Sequence, residues 1–503
     1  MQRALLGALL LAITTLAGCI AGDTGVDDAV DPTACDPAPY DPDGVQYVGT
    51  DHDPIASMSV ENALLTETTF KRTCSLPAIG WSALSQDGTP HMYIGEIDFR
   101  GDLDLGAVAV LGNQETPRVY LVDISDRVAP KVLSHIDQQN TYIVDVKISD
   151  DGKLLFTASQ KIPTSPEFEG LAELEGPAGF TVYDISDPTQ PRYLMTEPDP
   201  QLGCHMMSHE IIGDTETLLC VSQQVRIYTL SRESGSVQVT GVVDWMPEED
   251  GAARPSDPPL VRSPAEPLDP VFGALPWSSG PHDMTVQKDG DKTYAIVSHW
   301  DAGLRIVDVT DPLMPTEVGK WTGEDATYYA GNVHTAMMFY VGEDRYIIAS
   351  PEYTSENDPV PSLWVLDAND LTAPKLVAEW FHPGEHPAQG LFLTTHQWQV
   401  APTGKDVNAS DVRIYLSYNH AGIWVLDLGH ILMDHDQEAI LGYNIARSEI
   451  PEEVYNKVKN TRLATWDVNV VDGHIYGSDR ATGLWVFHYT EDALGDVRVT
   501  GFA

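Results

Sequence analysis

Histidine recurs at one station along this chain. His209-Glu-Ile-Ile, His282-Asp-Met-Thr-Val, His334-Thr-Ala-Met-Met and His396-Gln-Trp-Gln-Val each open an apolar or β-branched run, and Val144-Asp-Val-Lys-Ile and Trp466-Asp-Val-Asn-Val open matching ones. Neutral imidazole offers a lone pair near physiological pH, so four imidazoles brought together could hold one transition metal or one anionic ligand. His205 takes the place of His209 if the hairpin of that unit is longer. A second group follows later strands: His299, Asp301, Glu352, His420, Asp479 and Arg480, a polar set of mixed charge suited to the rim of a ligand site. The competing reading is structural. His282 is in phase with Met284 and Val286, so its ring could pack in a core and bond a neighbouring carbonyl or carboxylate.

Other chemistries are weaker. Cys204-His205-Met206-Met207 and Met337-Met338 offer soft ligands that copper favours, but methionine beside strand residues is ordinary core filling. His382-Pro-Gly-Glu385-His386 matches the HxxEH string of inverted zinc peptidases, which needs a helix that Pro383, Gly384 and Pro387 forbid. Glu385 or His386 could still reach the rim of the same site. No GxSxG elbow, Walker loop or GxGxxG after a strand occurs, so ordinary hydrolase and nucleotide chemistries lack their usual handles.

The elements that must position the histidines are repeats. RVYLVDISDRVAP (118–130), GFTVYDISDPTQP (179–191), GLRIVDVTDPLMP (303–315) and SLWVLDANDLTAP (362–374) are one phrase, and QVRIYTLS (224–231), GIWVLDLG (422–429) and GLWVFHYT (483–490) are degenerate copies. The station held by Asp in the strong copies falls at 123, 184, 229, 308, 367, 427 and 488, a period of about sixty residues that belongs to propellers and solenoids. Each phrase is a β-branched and aromatic strand closed by a turn in which Asp caps and Pro fixes φ. A further strand follows it, and two precede it across a hairpin such as Gln-Lys-Asp-Gly-Asp-Lys (287–292). Apart from Pro451 to Lys459 there is little helical period. The expected fold is therefore all-β, a β-propeller of seven four-stranded blades whose innermost strands ring a channel. Val497 to Phe502 could complete the last blade. Insertions at 161–178, 245–281 and 430–464 read as lids, partner loops or surface excursions.

These phrases resemble the LVIVD-repeat family, named for strands like Leu121-Val122-Asp123 or Leu304-Arg-Ile-Val-Asp308 followed by Ser/Thr-Asp-Pro, over residues 90–500. The resemblance implies a secreted or surface propeller and assigns no reaction.

The ends and the charge bound the setting. Met1 to Arg3 followed by an apolar run to Leu16 is a secretory signal, and Leu16-Ala17-Gly18-Cys19 resembles the lipobox of bacterial lipoproteins, which implies cleavage after residue 18 and acylation of Cys19. Residues 19–45 are rich in Asp, Pro, Gly and Ala and read as an acidic, disordered tether, which leaves 46–503 for the propeller. The expected location is the bacterial cell envelope, anchored at the outer membrane on its periplasmic or surface side. The formal charge is -46, which disfavours nucleic acid and suits solubility or calcium at the acidic surface. Cys35, Cys74, Cys204 and Cys220 stand in a disulfide-permissive compartment, with 204 to 220 and 35 to 74 the preferred pairing. The functional expectation is a monomeric envelope scaffold that binds a protein, glycan or small ligand at its channel face. The alternative is a metal-dependent enzyme, an oxidoreductase among the choices, built on His209, His282, His334 and His396.

Overall fold

The computed structural model describes residues 73, 75–85, 94–111, 116–138, 141–160, 178–199, 203–222, 224–233, 235–247, 280–300, 302–327, 333–352, 361–381, 395–419, 422–436, 438–444, 465–480 and 482–490. The chain divides into two units, Met1–Ala34 and Cys35–Ala503, and every described residue lies in the second. The signal, Cys19, the tether, Cys35, Cys74, Asp301, Glu385, His386, His420, the 451–459 stretch and 497–502 fall outside the described residues.

Seven antiparallel sheets of four strands each follow one another along the chain. Numbered by their first strands, these are blade 1 (Ile94–Arg100), blade 2 (Tyr142–Ile148), blade 3 (Met206–Ile212), blade 4 (Pro281–Asp289), blade 5 (Thr335–Val341), blade 6 (Thr395–Ala401) and blade 7 (Thr465–Val471). The seven repeat phrases are the third strands of the seven blades. Second and third strands lie between neighbouring blades, so they read as continuous apolar runs: Leu105–Val110 and Gly422–Asp427 are buried throughout. Fourth strands lie at the perimeter and are half exposed, as in Lys131–Asp137. Tryptophans of the third strands meet those of the fourth, Trp364 with Trp321 at 5.3 Å and Trp424 with Trp380 at 6.2 Å between ring centroids.

The Asp of each strong phrase is a turn cap. Asp123, Asp184, Asp308 and Asp367 accept the amides of Ser125, Ser186, Thr310 and Asn369 at 2.8–3.0 Å. The second Asp repeats the device, as Asp187 accepts Thr189 N at 3.0 Å and Asp311 accepts Leu313 N at 3.1 Å. These carboxylates are spent on backbone.

Ring closure, left open by the sequence, comes from the N-terminal side. Ala78–Ser82 pairs with Gly483–His488 as the fourth strand of blade 7. Trp81 lies 6.2 Å from Trp485 and donates to the Thr482 carbonyl at 2.7 Å. Gly80 permits the fit, because a Cβ there would stand 2.0 Å from the Val128 carbonyl oxygen of blade 1.

The first strands are sheet edges, with free amides that need partners. Side chains of the adjacent blade supply them. Ile97 N donates to Asp467 (2.8 Å), Ile148 N to Asp98 (2.6 Å), Met207 N to Asp145 (2.8 Å) and Val470 N to Gln399 (2.6 Å). Blade-to-blade order at the channel thus rests on buried polar side chains as well as on packing. Cys204 and Cys220, joined by a disulfide with Cα atoms 5.4 Å apart, tie the start of blade 3's first strand to its second.

Candidate functional site

The residue that opens each first strand takes one common station near the axis. A left-handed turn glycine eight residues later marks it: Gly152 after Val144, Gly213 after His205, Gly290 after His282, Gly342 after His334 and Gly404 after His396. Backbone contacts agree, since His205 N donates to the Val221 carbonyl at 2.7 Å and His334 N to the Ser350 carbonyl at 2.8 Å, each sixteen residues on. His205, and not His209, is therefore the fourth member. The hairpin of blade 3 is as long as its neighbours', and His209 sits four residues too close to the turn.

The four rings form an arc over blades 3 to 6. Ring centroids are 4.5 Å apart for His205 and His282, 4.4 Å for His282 and His334, and 4.7 Å for His334 and His396. Trp466 of blade 7 continues the arc at 3.7 Å from His396, and Arg480 covers the Trp466 ring at 4.2 Å. His282 is also stacked on Trp300 at 4.8 Å. Glu352, just beyond the second strand of blade 5, faces two rings, with its oxygens 3.6 Å from His334 Nε2 and 3.8 Å from His396 Nε2. The ligand atoms of His282, His334 and Glu352 all lie within 4.8 Å of one another, and all three residues are buried.

Hydrogen bonds set the tautomers. His205 Nδ1 donates to Gln160 Oε1 at 2.7 Å, which turns its Nε2 lone pair to His282 Nε2, 3.0 Å away. That gap has room for one proton or for one cation bridging the two nitrogens. Two imidazole nitrogens bound to one ion at about 2.0–2.1 Å each stand about 3 Å apart, so the observed separation suits a shared ion. His396 Nδ1 donates to the Trp466 carbonyl at 2.7 Å and leaves its Nε2 lone pair toward Glu352. Among the described residues His334 Nε2 makes no hydrogen bond, standing 3.6 Å from Glu352, whereas backbone hydrogen bonds at His334 and His396 act on the His282 and His334 rings. A buried polar atom left as His334 Nε2 is points to a missing partner.

Electrostatics favour the same occupant. Burial pushes His205 down to about 4 and His334 to about 3, and holds His282 and His396 well below the usual imidazole range, helped in both by the neighbouring rings. Held neutral, each ring carries one lone pair, that of His205 facing His282 Nε2. Burial raises Glu352 to about 7, against the pull of Arg480. A cation would hold the carboxylate ionised and accept the imidazoles without proton release.

One residue further along the first strands of blades 1, 2, 4 and 7 lies an acidic layer that the sequence reading missed: Glu96, Asp145, Asp283 and Asp467, with Gln397 of blade 6 donating to Asp283 at 3.1 Å. Its signal was visible as the Asp that follows the station in Val144-Asp, His282-Asp and Trp466-Asp. Burial and the Asp467 charge raise Glu96 well above the carboxylate range, and burial lifts Asp467 to about 6. Lys147, 2.6 Å from Asp145, offsets part of this charge.

The remaining expected rim residues divide. Glu352 and Arg480 join the cluster. His299 is fully buried, with Nδ1 accepting the Ala302 amide at 3.0 Å, so it shapes its own turn. Asp479 accepts both the amide and hydroxyl of Thr482 at 2.8 Å and is likewise a turn cap. His209 is corrected as a member of the ring: it bonds Glu216 at 2.8 Å towards the other end of the strands.

The LVIVD repeat model matches residues 291–322, the segment that carries the second, third and fourth strands of blade 4. No curated protein matches the chain. Among solved structures, the crystal structure of the Myceliophteria thermophila Cps50 (Swd1) beta-propeller domain is similar at 10% identity and a TM-score of 0.45, covering 79% of this chain and 97% of that one. The fold assignment itself rests on the strand topology. Seven four-stranded blades make the chain a β-propeller, and the family match places an LVIVD repeat in blade 4.

Proposed function

We propose that this propeller is a binding scaffold whose channel end holds one divalent transition-metal ion on His205, His282, His334 and Glu352, and that the ion is the point at which a protein, glycan or small ligand is recognised. The observation that carries this is the convergence of His282, His334 and Glu352 ligand atoms within 4.8 Å in a buried setting. Neutral imidazoles with one carboxylate suit zinc, copper, iron or nickel better than calcium or magnesium. His396, bonded through Nδ1 to the Trp466 carbonyl, stands beside Glu352 with its Nε2 3.8 Å away. A bound ion would supply Lewis acidity to whatever oxygen or nitrogen group entered beside it. The lipobox-like Leu16-Ala17-Gly18-Cys19 supports a lipid anchor at Cys19 and a place in the bacterial envelope.

Elemental analysis of the purified full chain tests the metal reading. The expected result is near one transition-metal ion per chain, lost in the His282→Ala, His334→Ala double variant. A metal-free protein whose thermal stability is indifferent to chelator would contradict it.

A further inference from the structure

Blade 3 departs from the repeat, and the departures meet in a second pocket. At the station four residues beyond the channel position, blades 2, 4, 5 and 6 carry Ile148, Val286, Met338 and Val400, whereas blade 3 carries His209. The third strand of blade 3 also lacks the capping Asp. Thr229 stands in its place, and the strand runs on through Val225–Glu233, nine residues against six or seven in the other blades. That extension delivers Arg232 to Glu216 and to Asp151 of the blade 2 hairpin. Arg232 Nε donates to Glu216 Oε2 at 2.5 Å, and Nη1 bonds both Asp151 oxygens at 3.0 and 2.9 Å. His209 Nε2 donates to Glu216 Oε1 at 2.8 Å.

These side chains line a cavity of about 520 Å³ at the hairpin end of the strands, away from the imidazole arc, with Asp150 and Asp214 on its wall. Its volume falls in the range of small-molecule sites, and Ile211 and Leu230 add an apolar wall. The charges are unbalanced. Four carboxylates face one guanidinium, and Asp150 has Arg100 at 3.4 Å, while the Asp214 carboxylate makes no ion pair or hydrogen bond among the described residues. His209 has a side chain 2% exposed, and with its Nε2 proton given to Glu216, Nδ1 is left as a buried acceptor without a donor among the described residues. A divalent ion is poorly served here, because Arg232 already occupies the oxygens of Asp151 and Glu216.

We infer that this pocket binds a small organic cation, a primary or secondary ammonium with an apolar body, whose charge pairs with Asp214 and whose N–H bonds complete the polar wall around His209. The pocket shares no residue with the proposed metal site, so either assignment can fail alone.

Calorimetric titration of the full chain with cadaverine, and with pentanediol as its uncharged counterpart, tests this. Saturable binding of cadaverine alone is expected, about tenfold weaker in Asp214→Asn, the loss of one charge-assisted contact. Asp214 is exposed at a hairpin tip, so this variant keeps the fold. The His282→Ala, His334→Ala protein should bind cadaverine as the parent does. No binding, equal binding of the diol, an unchanged affinity in Asp214→Asn, or calcium displacing cadaverine at this pocket would each overturn the inference.

Discussion

The exchange of His205 for His209 shows what a single side chain's surroundings decide. Both lie on one short segment, yet His205 Nε2 meets His282 while His209 is bonded to Glu216. Replacing His205 by Ala should weaken metal binding by about tenfold or more, the usual loss for a ligand or its close support, whereas His209→Gln should leave it unchanged. Competition against a chromophoric chelator reads both. Protonation supplies a second prediction for the metal-free protein. His205 and His334 have folded pKa values of about 4 and about 3, so between the ordinary imidazole value of about 6.5 and those values the unfolded chain binds protons that the folded chain refuses. Stability should fall as pH drops through that window. Glu352 acts in the opposite sense, since its raised value makes its contribution decline as pH rises toward 7. Thermal melts of chelated protein from pH 7 to pH 4 should show falling midpoints, and a flat profile would count against neutral buried imidazoles.

Elements were legible where the repeat spoke. The third strands, their Asp-capped turns and the paired first and second strands all follow from the phrase and its hairpins, because strand, cap and turn glycine are local chemistry. The imidazole station was legible for His282, His334 and His396 and missed by four residues in blade 3, where an eight-residue count back from Gly213 finds it. The closing strand was not legible. Ala78-Ile79-Gly80-Trp81-Ser82 carries no phrase, and its partner lies some four hundred residues away, so only the completed ring specifies the pairing. Truncating Trp81 to Ala should remove its packing on Trp485 and cost about 3–5 kcal/mol, read as a shift in the denaturation midpoint. An unchanged midpoint would mean that blade 7 closes without this strand.

At the scale of the molecule, seven copies of one unit act as mutual controls. Stations kept in most blades, such as the capping Asp, serve the fold; stations altered in adjacent blades, such as the imidazoles of blades 3 to 6, gather on one side of the channel, where the metal site is proposed. The formal charge of -46 sets a solvated acidic exterior around this interior. Radiolabelled palmitate should enter the full chain in a bacterial host and be lost in Cys19→Ala, and equal labelling of both would remove the lipid anchor from the account. The proposed metal in the imidazole arc is open to titration of the chelated full chain with cobalt(II), followed by its visible absorption. Bands should saturate at one cobalt per chain, persist in His209→Gln and vanish in His282→Ala, His334→Ala. Absent bands in the parent, or bands that survive in the double variant, would contradict the proposal.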